Sequence, residues 1–97
     1  MKTICVWREN ADYSRTVSDW LNDFERRTDK VIESLSPDSI EGENFVRIYD
    51  IVEYPTIIAI DDMGRELSTW RGLPLPLIDE VSYYSEEKPS QSPENMI

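Results

Sequence analysis

The sequence predicts an α/β domain: a four-stranded mixed sheet with the element order β-α-β-α-β-β-α and helices on both faces. Two runs rich in β-branched residues, 2–7 and 56–60, are typical of buried strands. Apolar residues at helical spacing predict helices between and after these runs. A strand-helix-strand unit favours a parallel pair with a right-handed crossover, and a later hairpin adds an antiparallel edge strand.

The first helix, predicted over residues 14–27, follows the strand at 2–7 and a polar stretch. Its apolar side chains recur at i, i+3, i+4 and i+7, the spacing of one helix face. They are Val17, Trp20, Leu21 and Phe24. We expect Ser14 or Asp12 to cap the first turn, and Arg26 and Arg27 suit the negative end of the helix dipole.

The remaining elements follow from similar patterns. Residues 31–35 suggest a second strand, 41–50 a second and shorter helix, and 56–60 a central strand. The turn at 61–64 places Gly64 where a positive φ is needed, and residues 65–71 complete a hairpin. Leu77, Ile78, Val81 and Tyr84 mark a last helix.

The chain divides into a domain at residues 1–85 and a tail at 86–97 that is predicted to be disordered. The tail is polar, contains proline and lacks an apolar pattern. A length of 97 residues is enough for one hydrophobic core and too short for two.

Charge and composition exclude several function classes. Twenty acidic and ten basic residues give a net charge of -10, which argues against nucleic acid or an anionic membrane as partner. With no histidine and one cysteine, histidine-based triads, common zinc sites and an intramolecular disulfide are excluded. We expect no metal and no cofactor, and we expect Asp61 and Asp62 to bond their own turn.

The sequence also leads to expectations about cellular location and oligomeric state. No apolar run approaches the roughly 20 residues that span a bilayer. The amino terminus enters a strand without a signal-peptide pattern. We therefore expect a cytoplasmic protein, and the net charge favours a monomer.

Residues 2–85 resemble the thioredoxin and glutaredoxin superfamily. The resemblance is carried by Tyr54-Pro55-Thr56 before the central strand, by the Met63-Gly64 turn, and by Gly72 before the last helix. It implies a thioredoxin-like fold with a cis-proline at position 55.

The same resemblance locates the positions of the family's Cys-x-x-Cys dithiol. Counted from Trp7 and Glu9, those two positions are Ala11 and Ser14. Disulfide exchange needs a thiolate to attack and a second thiol to resolve the mixed disulfide, and neither residue supplies a thiol. A dithiol oxidoreductase is therefore disfavoured.

Two alternatives keep an enzymatic role open. Cys5 is the only thiol, and it is either a small buried hydrophobe or a redox-active group. Ser14 or Tyr13 resembles the residue with which glutathione transferases stabilise a thiolate, although this chain has no room for their second, helical domain. The simpler interpretation of Ser14 is a helix cap.

The favoured hypothesis is a redox-inactive binding domain for a peptide, a thiol metabolite such as glutathione, or a partner protein. In the resembling family, backbone beside the cis-proline pairs with peptide-like ligands as an added strand. The predicted ligand-binding residues are Asn10, Ala11, Asp12, Tyr13, Ser14, Tyr54, Pro55, Thr56 and Gly72. Trp7, Tyr13, Tyr54 and Trp70 are candidate aromatic anchors of the same groove.

Overall fold

A computed structural model describes residues 1–87. Its strands are β1 (Lys2–Val6), β2 (Lys30–Val31), β3 (Glu33–Leu35), β4 (Thr56–Ile60), β5 (Glu66–Arg71) and β6 (Glu86–Glu87). Its helices are α1 (Ser14–Thr28), α2 (Ile40–Ile48) and α3 (Ile78–Ser82). Across these residues, no helix combines the length and the apolar character that crossing a membrane requires.

The main sheet has four strands in the order β3-β1-β4-β5. β1 runs parallel to β3, pairing Cys5 with Ser34, and antiparallel to β4, pairing Cys5 with Ile57. β5 pairs antiparallel with β4 and forms one edge, with a register shift between Ala59 and Ile60. The predicted mixed sheet, parallel first unit and antiparallel edge strand are confirmed.

Two apolar clusters lie on opposite faces of this sheet, because successive side chains of a strand point to opposite sides. On one face, Ile4, Val6 and Ile58 pack with residues of α2. On the other face, Cys5 and Ile57 pack with residues of α1 and α3. Helices therefore cover both faces, as predicted.

The start of α1 differs from the prediction. Tyr13 occupies the N-cap position without a side-chain cap bond, and neither Ser14 nor Asp12 caps the helix. Ser14 is the first helical residue, and its hydroxyl bonds the preceding loop instead. The last turn does carry Arg26 and Arg27, as expected.

The second helix is shorter than predicted, because it ends at Ile48 and Asp50 adopts a left-handed φ of 55°. Ser39 caps this helix by accepting a hydrogen bond from the Gly42 amide at 2.9 Å. The last helix is also shorter and spans five residues, Ile78–Ser82.

The predicted strand at 31–35 is split into two short strands. β3 belongs to the main sheet, whereas β2 pairs antiparallel with β6 in a separate two-stranded sheet. Glu86 and Glu87, assigned to the tail from sequence, therefore form a strand, because Lys30 and Val31 offer a backbone edge that local sequence does not reveal. The rest of the predicted tail, residues 88–97, lies outside the described residues.

Candidate functional site

The candidate site lies where two loops meet at one end of the sheet. The first loop joins β1 to α1, and the second, residues 53–55, leads into β4. Arg8 connects them: its guanidinium carbon lies 4.9 Å from the centre of the Tyr54 ring, a cation–π contact. These are the two loops to which the resemblance assigned a binding groove.

Asp38 fixes the direction of the Arg8 side chain. Arg8 Nε donates to Asp38 Oδ2 at 3.0 Å, and a second guanidinium nitrogen donates to Oδ1 at 3.1 Å. This two-pronged hydrogen bond, followed by charge attraction, lowers the pKa of Asp38 and raises the pKa of Arg8. Arg8 is thus neutralised by an acid of the chain itself.

Side chains at the start of α1 hold the first loop closed. Tyr13 Oη accepts a hydrogen bond from the Arg8 amide at 2.9 Å. Ser14 Oγ accepts from the Ala11 amide at 2.7 Å and donates to the Arg8 carbonyl at 2.9 Å. Ala11 and Ser14, which the resemblance assigns to the dithiol positions, are therefore adjacent in space, and the Ser14 hydroxyl both accepts from and donates to the backbone. Asn10 and Asp12 are exposed in the same loop.

The second loop presents a backbone segment beside Pro55. The Tyr54–Pro55 peptide bond is cis, and the Pro55 carbonyl accepts from the Gly72 amide at 2.7 Å. The Thr56 hydroxyl donates to the Glu53 carbonyl at 2.6 Å. Within residues 1–87, neither the amide nor the carbonyl of Tyr54 has a hydrogen-bond partner.

Gly72, which follows β5, lies close to the 53–55 loop and forms the third side of the groove. Its φ is 70°, which glycine adopts without strain. A side chain at this position would place Cβ 2.7 Å from Glu53 Oε2. That oxygen is the end of an exposed, flexible side chain, so the positive φ is the main reason for glycine at this position.

Cys5 lies outside this groove. It is fully buried in the middle of β1, among the apolar side chains that pack with α1 and α3. Burial raises the pKa of the thiol to about 12, because charging it there means desolvating a thiolate. A thiol in this setting is a poor nucleophile.

Two of the four candidate aromatic anchors point elsewhere. Trp7 packs with the apolar cluster below α1, and its indole Nε1 donates to Ser34 Oγ at 3.3 Å. Trp70 packs against Tyr84, with ring centres 5.7 Å apart. Trp7 directly follows β1 and Trp70 lies in β5, and both pack with the apolar cluster on the α1 and α3 face of the sheet. Tyr13 and Tyr54 therefore remain as the aromatics of the two loops.

Arg8 and Asp38 were missed by sequence reasoning. Arg8 stands directly after the first strand run, which is a weak sign of a loop position, but nothing in the sequence links it to Asp38 or Tyr54. No cluster of three potential metal ligands forms among residues 1–87.

The comparisons with known proteins bear on the fold. No protein-family model and no curated protein match the sequence. The structure is similar to that of thioredoxin 1 from the thermophilic eubacterium Thermosipho africanus TCF52B, with a TM-score of 0.60 and 18% sequence identity. The match covers 87% of this chain and 89% of that chain. The chain therefore has a thioredoxin-like fold.

Proposed function

We propose that this chain is a redox-inactive thioredoxin-like domain that binds an extended peptide segment in the groove beside Pro55. The observation that carries the proposal is the Tyr54 backbone, whose amide and carbonyl have no partner within residues 1–87. An extended chain that pairs with both groups satisfies them and adds a strand at the groove.

The residues of the groove do not support thiol exchange. Ala11 and Ser14 supply no thiol, and the Ser14 hydroxyl already makes two backbone hydrogen bonds. Cys5 is buried with a raised pKa, so it offers neither access nor a thiolate. A glutathione-dependent activity that uses Ser14 lacks a hydroxyl proton to give, because that proton is donated to the Arg8 carbonyl.

The charges beside the groove rank the possible ligands by their expected affinity. Arg8 is paired with Asp38, and Asp12 and Glu53 are exposed acids beside the groove. Like charges placed together oppose binding, so glutathione, which carries two carboxylates, is a weaker ligand than an uncharged or basic peptide. The favoured partner is therefore an extended segment of another protein.

The groove is tested with an uncharged hexapeptide of alternating valine and threonine, followed through backbone amide shifts by NMR. We expect shifts at residues 10–14 and 54–56. Ala11→Phe fills the groove and weakens binding about tenfold or more. Thr16→Phe, which adds the same ring on exposed α1 surface, leaves the affinity unchanged. Shifts that avoid both segments contradict the proposed site.

Redox inactivity is tested by insulin reduction and by reduction of a glutathione mixed disulfide. We expect no turnover by the wild-type protein. Cys5→Ser and Cys5→Ala are assayed alongside. Two substitutions are used so that the test does not depend on a single variant that fails to fold. A wild-type turnover that both substitutions abolish overturns the proposal.

A further inference from the structure

A second cluster of aromatic side chains lies between the edge strand β5 and α3. The rings of Tyr83 and Tyr84 are perpendicular, at an interplanar angle of 90° and a centre distance of 4.9 Å. Trp70 meets Tyr84 edge-on at 64°. A cavity of about 330 Å³ is lined by Ser68, Trp70, Glu80, Tyr83 and Tyr84. We call this set the Trp70 cluster.

The chemistry of the Trp70 cluster suits a cation. Aromatic rings attract a cation through their electron-rich faces, and the rings of Trp70, Tyr83 and Tyr84 all line this one cavity. Glu80 adds a carboxylate to the same cavity. Within residues 1–87, the one cation stacked on a ring is Arg8 on Tyr54, so no cationic side chain of the described residues stacks on the rings of the cluster.

The cavity is accessible from outside. Tyr83 is 69% exposed, and Trp70 and Tyr84 are half-buried. A large exposed aromatic next to a carboxylate retains apolar area that a partner's side chain can cover. The aliphatic stem of lysine or arginine packs on such a ring while its charged end reaches Glu80.

The backbone beside the cluster is a sheet edge. β5 has no strand on its outer side among residues 1–87, and it is six residues long. Ser68 and Trp70 are two residues apart and share one sheet face, which is the face of the cavity. A strand added along β5 therefore places alternate side chains over the Trp70 cluster.

We propose that the Trp70 cluster and the edge of β5 form a second binding site, which takes an extended basic segment of a partner protein with a lysine or arginine side chain in the cavity. The net charge of -10 attracts such a segment. The same charge disfavours a second copy of this chain at the edge, since two such copies repel. The inference does not depend on the groove beside Pro55.

The test uses a hexapeptide of alternating threonine and arginine, added to the full chain and followed by NMR. We expect amide shifts over residues 66–71 and a shift of the Trp70 indole resonance. The matched control peptide replaces each arginine with citrulline, which keeps shape and hydrogen bonding but removes the charge. We expect it to bind about tenfold more weakly.

Substitutions then distinguish the contribution of the Tyr83 ring, the contribution of the Glu80 charge and the effect of net charge on peptide affinity. Tyr83→Leu keeps apolar area but removes the ring and weakens binding about threefold, while Tyr83→Phe restores the affinity. Glu80→Gln weakens it about twofold. Glu43→Gln makes the same change in net charge on exposed surface of α2 and leaves the affinity unchanged.

Several outcomes overturn the inference. If the arginine and citrulline peptides bind with equal affinity, a cation is not what the site recognises. Shifts confined to residues 10–14 and 54–56 place the basic peptide in the groove instead. Shifts of β5 that depend on protein concentration without peptide identify a second copy as the occupant.

Discussion

At the scale of single residues, Cys5 shows how position decides chemistry. The thiol is fully buried, and it packs in an apolar cluster with Val17, Phe24 and Ile57. Burial raises its pKa to about 12, well above the usual value near 8.5. The residue therefore acts as a packing group.

This predicts that Cys5 resists alkylation in the folded protein. At pH 8 the raised pKa reduces the thiolate fraction about a thousandfold relative to an unfolded chain, before access is considered. Iodoacetamide labelling, followed by mass spectrometry, should be slower than in concentrated urea by at least that factor. Labelling at similar rates in both conditions contradicts the burial of this thiol.

Ser14 also shows how residue identity decides the hydrogen bonds of the β1–α1 loop. Ser14 uses its hydroxyl to join the Ala11 amide to the Arg8 carbonyl, which a helix cap does not do. The sequence predicted a cap because serine before an amphipathic run usually serves as one. The structure corrects this, since the β1–α1 loop folds back over the hydroxyl.

At the scale of elements, Asp61 organises the turn between β4 and β5. Its Oδ1 accepts hydrogen bonds from the Met63 and Arg65 amides, both at 2.8 Å. The bond from the Arg65 amide is the main cause that lowers the pKa of Asp61, and the Arg65 guanidinium adds to it. Gly64 completes the turn with a φ of 86°, as the sequence predicted.

This turn predicts a pH dependence of stability. Because the folded pKa of Asp61 is lowered, its contribution is present above the unfolded value of about 3.9 and is lost as pH falls through the folded pKa. Asp61→Asn retains an oxygen acceptor but does not titrate. Its urea midpoint should therefore fall less steeply with acid than that of the wild type.

The matched control is Asp62→Asn in the same turn. Within residues 1–87, Asp62 pairs with the terminal amine of Met1 and accepts no backbone amide. We expect this variant to keep the wild-type acid slope. A slope that changes equally in both variants attributes the effect to net charge and contradicts the role of Asp61.

At the scale of the whole molecule, the chain has a thioredoxin-like fold, and we propose that Ala11 and Ser14 stand at the positions of the family's dithiol. Ala11 and Ser14 remain adjacent in space at the start of α1, held by the hydrogen bond between the Ala11 amide and the Ser14 hydroxyl. The helix amino terminus that stabilises a thiolate is still present. The thioredoxin-like fold can therefore form without the cysteines that dithiol exchange requires.

This separation predicts a gain of function. The double substitution Ala11→Cys and Ser14→Cys should form a disulfide and reduce insulin in the presence of dithiothreitol. The single substitution Ala11→Cys lacks the resolving thiol and should show no turnover above the wild type. A double variant that folds, as judged by its amide spectrum, yet forms no disulfide contradicts the assignment of these positions.

The sequence by itself determined the mixed sheet and the two helix-covered faces. These follow from local periodicity and residue identity, because a strand's alternation and a helix's apolar stripe already state which side faces the core. The resemblance, rather than periodicity, assigned the dithiol positions to Ala11 and Ser14 and directed attention to the two loops through Tyr54 and Pro55.

Only the tertiary structure decided which distant side chains meet. Arg8 reaches Asp38 and Tyr54 because the crossover through α1 brings the ends of β1 and β3 together, and no local pattern encodes that contact. The Trp70 cluster likewise forms where α3 returns to the edge of β5. Such contacts depend on the packing of whole elements, which a linear pattern of apolar residues does not specify.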